Sequence, residues 1–131
     1  MKPKLLIVDD DIAITQQLYW ALFDYFDVTT ANDTQTALRR LAVYEPAVAI
    51  LDLQLSNISD SPEPGLQVLE FIKCRLPEMK VVILSSSIDQ EIREVCLNGG
   101  ADEVIAKPFK TDDLISALLR QLPPYPATLV M

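Results

Sequence analysis

Histidine is absent from this sequence. Its absence rules out Ser-His-Asp and Cys-His nucleophile systems and histidine-ligated zinc, and any phosphoryl group the chain carries must sit on another side chain. Cysteine is scarce. Cys74 and Cys96 have no metal-ligand spacing and no secretory context, so both are expected to be small core or near-surface residues. Basic residues are outnumbered, 11 against 19 acidic ones, which leaves a formal net charge of −8. Such a surface is poorly suited to neutralising phosphates, and direct nucleic-acid binding is not expected. Long apolar runs are missing as well, and Met1-Lys2-Pro3-Lys4 leads into a short strand-like segment without a signal-peptide core. The reading is a cytoplasmic protein without a membrane segment.

What is present fits one globular domain. At 131 residues, half of them apolar, the chain is long enough to bury a core without staples. Five apolar runs read as strands: Lys4 to Val8, Asp27 to Ala31, Ala47 to Leu51, Lys80 to Leu84 and Glu103 to Ala106. Four of them lack clean alternation, as expected of parallel strands covered on both faces. Helical stripes lie between them. Leu18, Leu22 and Tyr25 form the first, and Ala37, Leu38, Leu41 and Ala42 form the second, which Pro46 stops. Leu66, Leu69 and Ile72 run toward Pro77, and Ile88, Ile92, Val95 and Cys96 end at Gly99-Gly100. The last stripe comprises Leu114, Ile115, Leu118, Leu119 and Leu122, with Thr111 as the expected cap and Asp112 and Asp113 at the positive end of the helix dipole. The domain is expected over residues 1–122, with 123–131 a proline-rich tail or the start of a linker. Strand and helix alternating five times imply a doubly wound α/β domain with right-handed crossovers.

In such sheets the site lies beyond the carboxyl ends of the strands. The first strand runs into Asp9-Asp10-Asp11, the third into Asp52, the fourth into Ser85-Ser86-Ser87 and the fifth into Lys107-Pro108. Clustered carboxylates repel one another and persist most easily around a cation, and Mg2+ suits an all-oxygen donor set. With the metal and Lys107 offsetting charge, Asp52 can attack phosphorus to form an acyl phosphate. Read alone, Asp9 to Asp11 is only a helix-capping acidic turn, Ser85 to Ser87 a polar loop and Lys107 a surface lysine. Their placement after four different strands favours the chemical reading. No glycine-rich phosphate loop follows the first strand, so a flavin or nucleotide site gains no support.

These residues also carry a resemblance. Leu5-Leu6-Ile7-Val8-Asp9-Asp10, Ile50-Leu51-Asp52, Val82-Ile83-Leu84-Ser85-Ser86 and Gly100-Ala101-Asp102 with Lys107-Pro108-Phe109 make the chain similar to the receiver domains of two-component response regulators, over about residues 4 to 122. The resemblance implies a flavodoxin-like, five-stranded parallel sheet of order 2-1-3-4-5 flanked by five helices. It implies Mg2+ held by Asp9, Asp10, Asp52 and the backbone carbonyl of Gln54, phosphorylation on Asp52, a hydroxyl from Ser85, a cation from Lys107 and a cis Lys107-Pro108 bond. Partners would be a histidine kinase or histidine phosphotransfer protein upstream and an output protein or fused output domain downstream, with a homodimer possible. The domain would be a signalling module that assists its own phosphotransfer, not an enzyme.

The sequence departs from the family pattern at three places. Val104 stands where the family has an aromatic switch residue, Ser85 replaces the commoner threonine, and the 53–64 loop is longer than usual. Asp60 and Glu63 in that loop are expected to be solvated rather than ligands. Val104 and the loop keep open a second reading, a degenerate receiver serving as a phosphorylation-independent interaction module. A haloacid dehalogenase-type phosphatase is disfavoured, because Gln54 stands where its second aspartate would be. Tyr19, Trp20, Phe23, Tyr25 and Phe26 crowd the first helical segment, with core packing the first explanation and a partner surface the second.

Overall fold

A computed structural model describes residues 2–55, 61–86 and 89–122. Strand β1 (Lys4–Val8) is followed by helix α1 (Ile12–Leu22), β2 (Asp27–Ala31), α2 (Thr34–Tyr44) and β3 (Val48–Asp52). Then come α3 (Glu63–Arg75), β4 (Lys80–Ser85), α4 (Gln90–Asn98), β5 (Glu103–Ala106) and α5 (Thr111–Gln121). All four pairings are parallel and the strand order is β2-β1-β3-β4-β5, as the family resemblance implied.

The continuous apolar strands follow from two-sided burial. Side chains alternate across a strand, so neighbours in β1, β3 and β4 serve different faces. Leu5, Ile7, Val48, Ile50, Val82 and Leu84 pack under α1 and α5 with Leu18, Leu22, Phe26, Leu114 and Leu118. On the opposite face Leu6, Val8, Ala49, Leu51, Val81 and Ile83 meet Ala37, Leu41, Val68, Leu69, Ile72 and Cys96 of α2, α3 and α4. Cys74 is exposed, and both cysteines are free thiols.

Several boundaries differ from the sequence reading. β3 and β4 extend through Asp52 and Ser85, because the parallel ladder continues to Asp52↔Leu84 and Ser85↔Ala106. Helix α1 stops at Leu22, so Tyr25 and Phe26 lie beyond it; Phe26 is buried and Tyr25 exposed. Thr111 is the first helical residue of α5, preceded by Lys110 in extended conformation with no side-chain cap bond, while Asp112 and Asp113 do occupy the first turn. Val95 and Leu119 point outward from their stripes. Pro46 acts as expected: the residue before it, Glu45, is driven out of the right-handed helical region to φ 45°. Gly100 takes φ 105° after α4, a conformation that favours glycine. The tail 123–131, Ser87, Ile88 and loop residues 56–60, Asp60 among them, lie outside the described residues. Among the described residues no helix is long and apolar enough to cross a membrane.

Candidate functional site

The carboxyl edge of the sheet collects the polar residues. Asp9 follows β1, and its backbone N–H donates to the carbonyl of Ala31 at 3.1 Å, continuing the β1–β2 pairing by one step. The chain then turns sharply: the Asp11 N–H donates to Asp9 Oδ1 at 2.9 Å. Asp11 caps α1 by accepting from the N–H groups of Ala13 and Ile14. The modest reading of the acidic turn therefore holds for Asp11 and leaves Asp9 and Asp10 for other work. Asn32, just past β2, donates through Nδ2 to the Asp9 carbonyl at 2.8 Å and to Thr15 Oγ1 at 3.3 Å, which ties the turn to α1.

Asp52 ends the central strand and is 4% exposed. Its Oδ1 accepts from the N–H of Gln54 at 3.2 Å. Asp9, Asp10 and Asp52 each present a carboxylate oxygen within 4.8 Å of the others, a set that could hold a metal ion. Three hard oxygen donors, two from the turn after β1 and one from the last residue of β3, match what a small divalent cation requires. Lys107, after β5, reaches back to this group. Its Nζ stands 3.0 Å from Asp9 Oδ2 and 3.4 Å from Asp52 Oδ2. The Lys107-Pro108 peptide is cis, and the Lys107 N–H donates to the Ser85 carbonyl at 2.9 Å. Ser85 is fully buried, and its hydroxyl donates to Gln54 Oε1 at 2.7 Å.

One lysine does not balance three carboxylates. Burial, and then the neighbouring charge of Asp9, push the Asp52 carboxyl up to about 7, although Lys107 and the Gln54 N–H pull the other way. Asp10 is also raised, first by burial and then by Asp9. For Lys107, burial opposes the charged form, but the hydrogen bond to Asp9 and the charges of Asp52 and Asp9 outweigh it and hold the ammonium above its ordinary value. Three carboxylates facing one ammonium leave the site primed to accept positive charge.

The structure thus brings together Asp9, Asp10, Asp52, Gln54, Ser85 and Lys107. Glu63 opens α3 and is exposed, consistent with a solvated side chain. Three supporting residues escaped the sequence reading. Asn32 gave no signal, since a lone Asn after a strand is ordinary turn chemistry. Gln54 stands out in the sequence through its backbone carbonyl and as the residue in place of a second aspartate, but nothing there points to its side-chain bond with Ser85. Gly65, in the first turn of α3, packs so closely that a Cβ there would lie 2.7 Å from the Leu53 carbonyl oxygen and 2.9 Å from that of Asp52. A glycine inside a helical stripe was its only trace.

Comparison with known proteins agrees with this geometry. The family model of the response regulator receiver domain matches residues 5–119. The transcriptional regulatory protein KdpE of Staphylococcus aureus is 32% identical over 115 residues, which cover 87% of this chain and 47% of that protein. The receiver domain of NtrX from Brucella abortus superposes with a TM-score of 0.82 at 32% identity, over 93% of this chain and 100% of that one. The BeF3-activated DrrB receiver domain gives 0.81 at 27% identity, over 92% and 97%. The chain spans about half the length of the transcriptional regulators it matches. With the sheet order, the acidic pocket and these matches in agreement, the chain belongs to the response regulator receiver domain family, the signalling modules of two-component systems.

Proposed function

We propose that this domain is a phosphoacceptor switch in which Asp52 takes a phosphoryl group from a phosphohistidine of a histidine kinase or phosphotransfer protein. The observation that carries the reading is the bridging of Asp9 and Asp52 by Lys107 inside a cluster of three carboxylates. An Asp52 carboxylate oxygen attacks phosphorus, the donor's N–P bond breaks, and a proton returns to the imidazole nitrogen. Lys107 pairs with the phosphoryl oxygens, and the buried Ser85 hydroxyl lies beside them as a hydrogen-bond donor. Asp9, Asp10, Asp52 and the Gln54 backbone carbonyl are the residues that would hold Mg2+. When bound, the metal would neutralise the cluster and the incoming phosphoryl charge. A groove of about 410 Å3 lined by Ile14, Leu18, Ala21, Pro108 and Phe109 borders Lys107, next to the acceptor, where a donor protein would rest.

The product of this chemistry is a changed surface, so the domain works as a signalling element and not as a turnover enzyme. Its effector is an output domain fused after residue 122 or a separate protein, and the acidic balance argues against direct nucleic-acid contact by the domain itself. A cytoplasmic setting follows from the proposed phosphodonors. Incubation with a small phosphodonor and Mg2+, read by intact mass, is expected to add one phosphoryl group that vanishes in Asp52→Asn and without Mg2+. Folded protein that gains no mass would overturn the proposal in favour of a phosphorylation-independent interaction module.

A further inference from the structure

The hydroxyl proton of Ser85 is already engaged. Ser85 is fully buried, so its hydroxyl has no bulk water to fall back on. It donates its single proton to Gln54 Oε1 at 2.7 Å, a short bond across the β3 and β4 ends. Gln54 also holds the phosphoacceptor through its backbone, whose N–H donates to Asp52 Oδ1 at 3.2 Å. One residue thus grips both Asp52 and the hydroxyl beside it. A hydroxyl with one proton cannot donate fully to Gln54 and to a phosphoryl oxygen at once.

We propose that the Gln54 side chain is a positioning residue, a latch that competes with the phosphoryl group for the Ser85 proton and so sets how readily Asp52 holds a phosphoryl group. The inference rests on the phosphoacceptor reading. On phosphorylation the Ser85–Gln54 bond breaks, the proton turns to a phosphoryl oxygen, and the freed carboxamide turns away from Ser85. No covalent bond in the latch changes. Removing the carboxamide oxygen spares the backbone N–H and carbonyl of residue 54, so the contact to Asp52 and the proposed metal ligand remain.

The equilibrium is best read with beryllofluoride, a non-covalent stand-in for the phosphoryl group, titrated with saturating Mg2+ and followed by fluorine NMR. Gln54→Leu is expected to tighten beryllofluoride binding about threefold to tenfold, the span of one net hydrogen bond. The same substitution in a Ser85→Ala background is expected to change nothing, because the proton in contention is gone. Gln54→Met, unbranched and lacking a carbonyl oxygen, guards against a fault of shape and is expected to behave as Gln54→Leu does. Equal tightening in both backgrounds, or no tightening in either, overturns the latch while leaving the acceptor reading intact. Parent protein that is folded but binds no beryllofluoride overturns both.

Discussion

Two lysine–aspartate clusters sit at opposite ends of this sheet, and they differ in how their charges are balanced. At the amino edge Lys73 Nζ donates to the Met79 carbonyl at 2.8 Å and lies 3.7 Å from Asp102 Oδ2. That same Asp102 oxygen accepts from the Val81 N–H at 2.8 Å. One cation meets one anion, and each also has a backbone partner. At the carboxyl edge Lys107 faces Asp9 and Asp52 with Asp10 alongside, and Asp52 is pushed up to about 7. A balanced pair joins elements, whereas an unbalanced one holds unfavourable charge that an arriving cation or phosphoryl group can relieve. The same residue types are structural at one end and chemical at the other, and the count of charges separates them.

The largest effect is expected from Asp52→Asn, which should abolish phosphoryl uptake by intact mass while stabilising the fold. Because the folded state holds the Asp52 proton to a higher pH than the unfolded chain does, folding takes up a proton between the ordinary carboxylate value and about 7. Stability therefore falls as pH rises through that window, and the deficit is complete above it. In thermal melts without Mg2+, the variant should gain on the order of 1 kcal/mol or more at pH 8 and little at pH 4. Equal melting of variant and parent at pH 8 would refute the stored repulsion. Gly65→Ala comes next. The added methyl would press on the Leu53 and Asp52 backbone, so a loss of about 2 kcal/mol in urea unfolding is expected despite alanine's better helix propensity. Third is pH itself. The proposed Mg2+ site would need an ionised Asp52, so calorimetric affinity should drop about tenfold from pH 8 to pH 6, with proton release on binding. A flat profile would show that Asp52 does not gate the metal.

How much of this was legible in the sequence depended on the range of the interaction. Strand existence and sheet class followed from Val, Ile and Leu runs, because two-sided burial acts on every residue of β1, β3 and β4. The acidic cluster was legible because α/β topology dictates which strand ends converge, so Asp9, Asp52 and Lys107 needed no coordinates to be placed on one edge. Hidden were contacts chosen by geometry across the chain. Asn32 meets Asp9, Gln54 meets Ser85 and Gly65 nests on Leu53 through single atoms that no periodicity encodes. The end of α1 was misread for a related reason. Tyr25 and Phe26 continue the aromatic pattern, yet after Leu22 the chain turns so that Phe26 enters the core from outside the helix while Trp20 stays exposed.

The smallest effect completes the contrast. Asp102→Asn keeps the size of the side chain and removes its charge, as Asp52→Asn does, but here the carboxylate is the balanced partner. The variant keeps an amide oxygen to accept from the Val81 N–H but loses the charge that strengthens that bond and the attraction to Lys73, whose ammonium is then left with the Met79 carbonyl. Both side chains are about one-fifth exposed, so water compensates in part and the ion pair at 3.7 Å contributes little on its own. The weakening of the backbone hydrogen bond from a charged to a neutral acceptor is the larger share, and a loss of about 1 kcal/mol or less in urea unfolding is expected. Phosphoryl uptake should be unchanged, because the site lies at the other end of the strands. One substitution, Asp to Asn, should therefore destabilise the fold at the amino edge without touching the chemistry, and stabilise it at the carboxyl edge while ending the chemistry. A stability gain from Asp102→Asn would mean that the amino-edge cluster too stores repulsion, and charge balance would no longer separate the structural cluster from the chemical one.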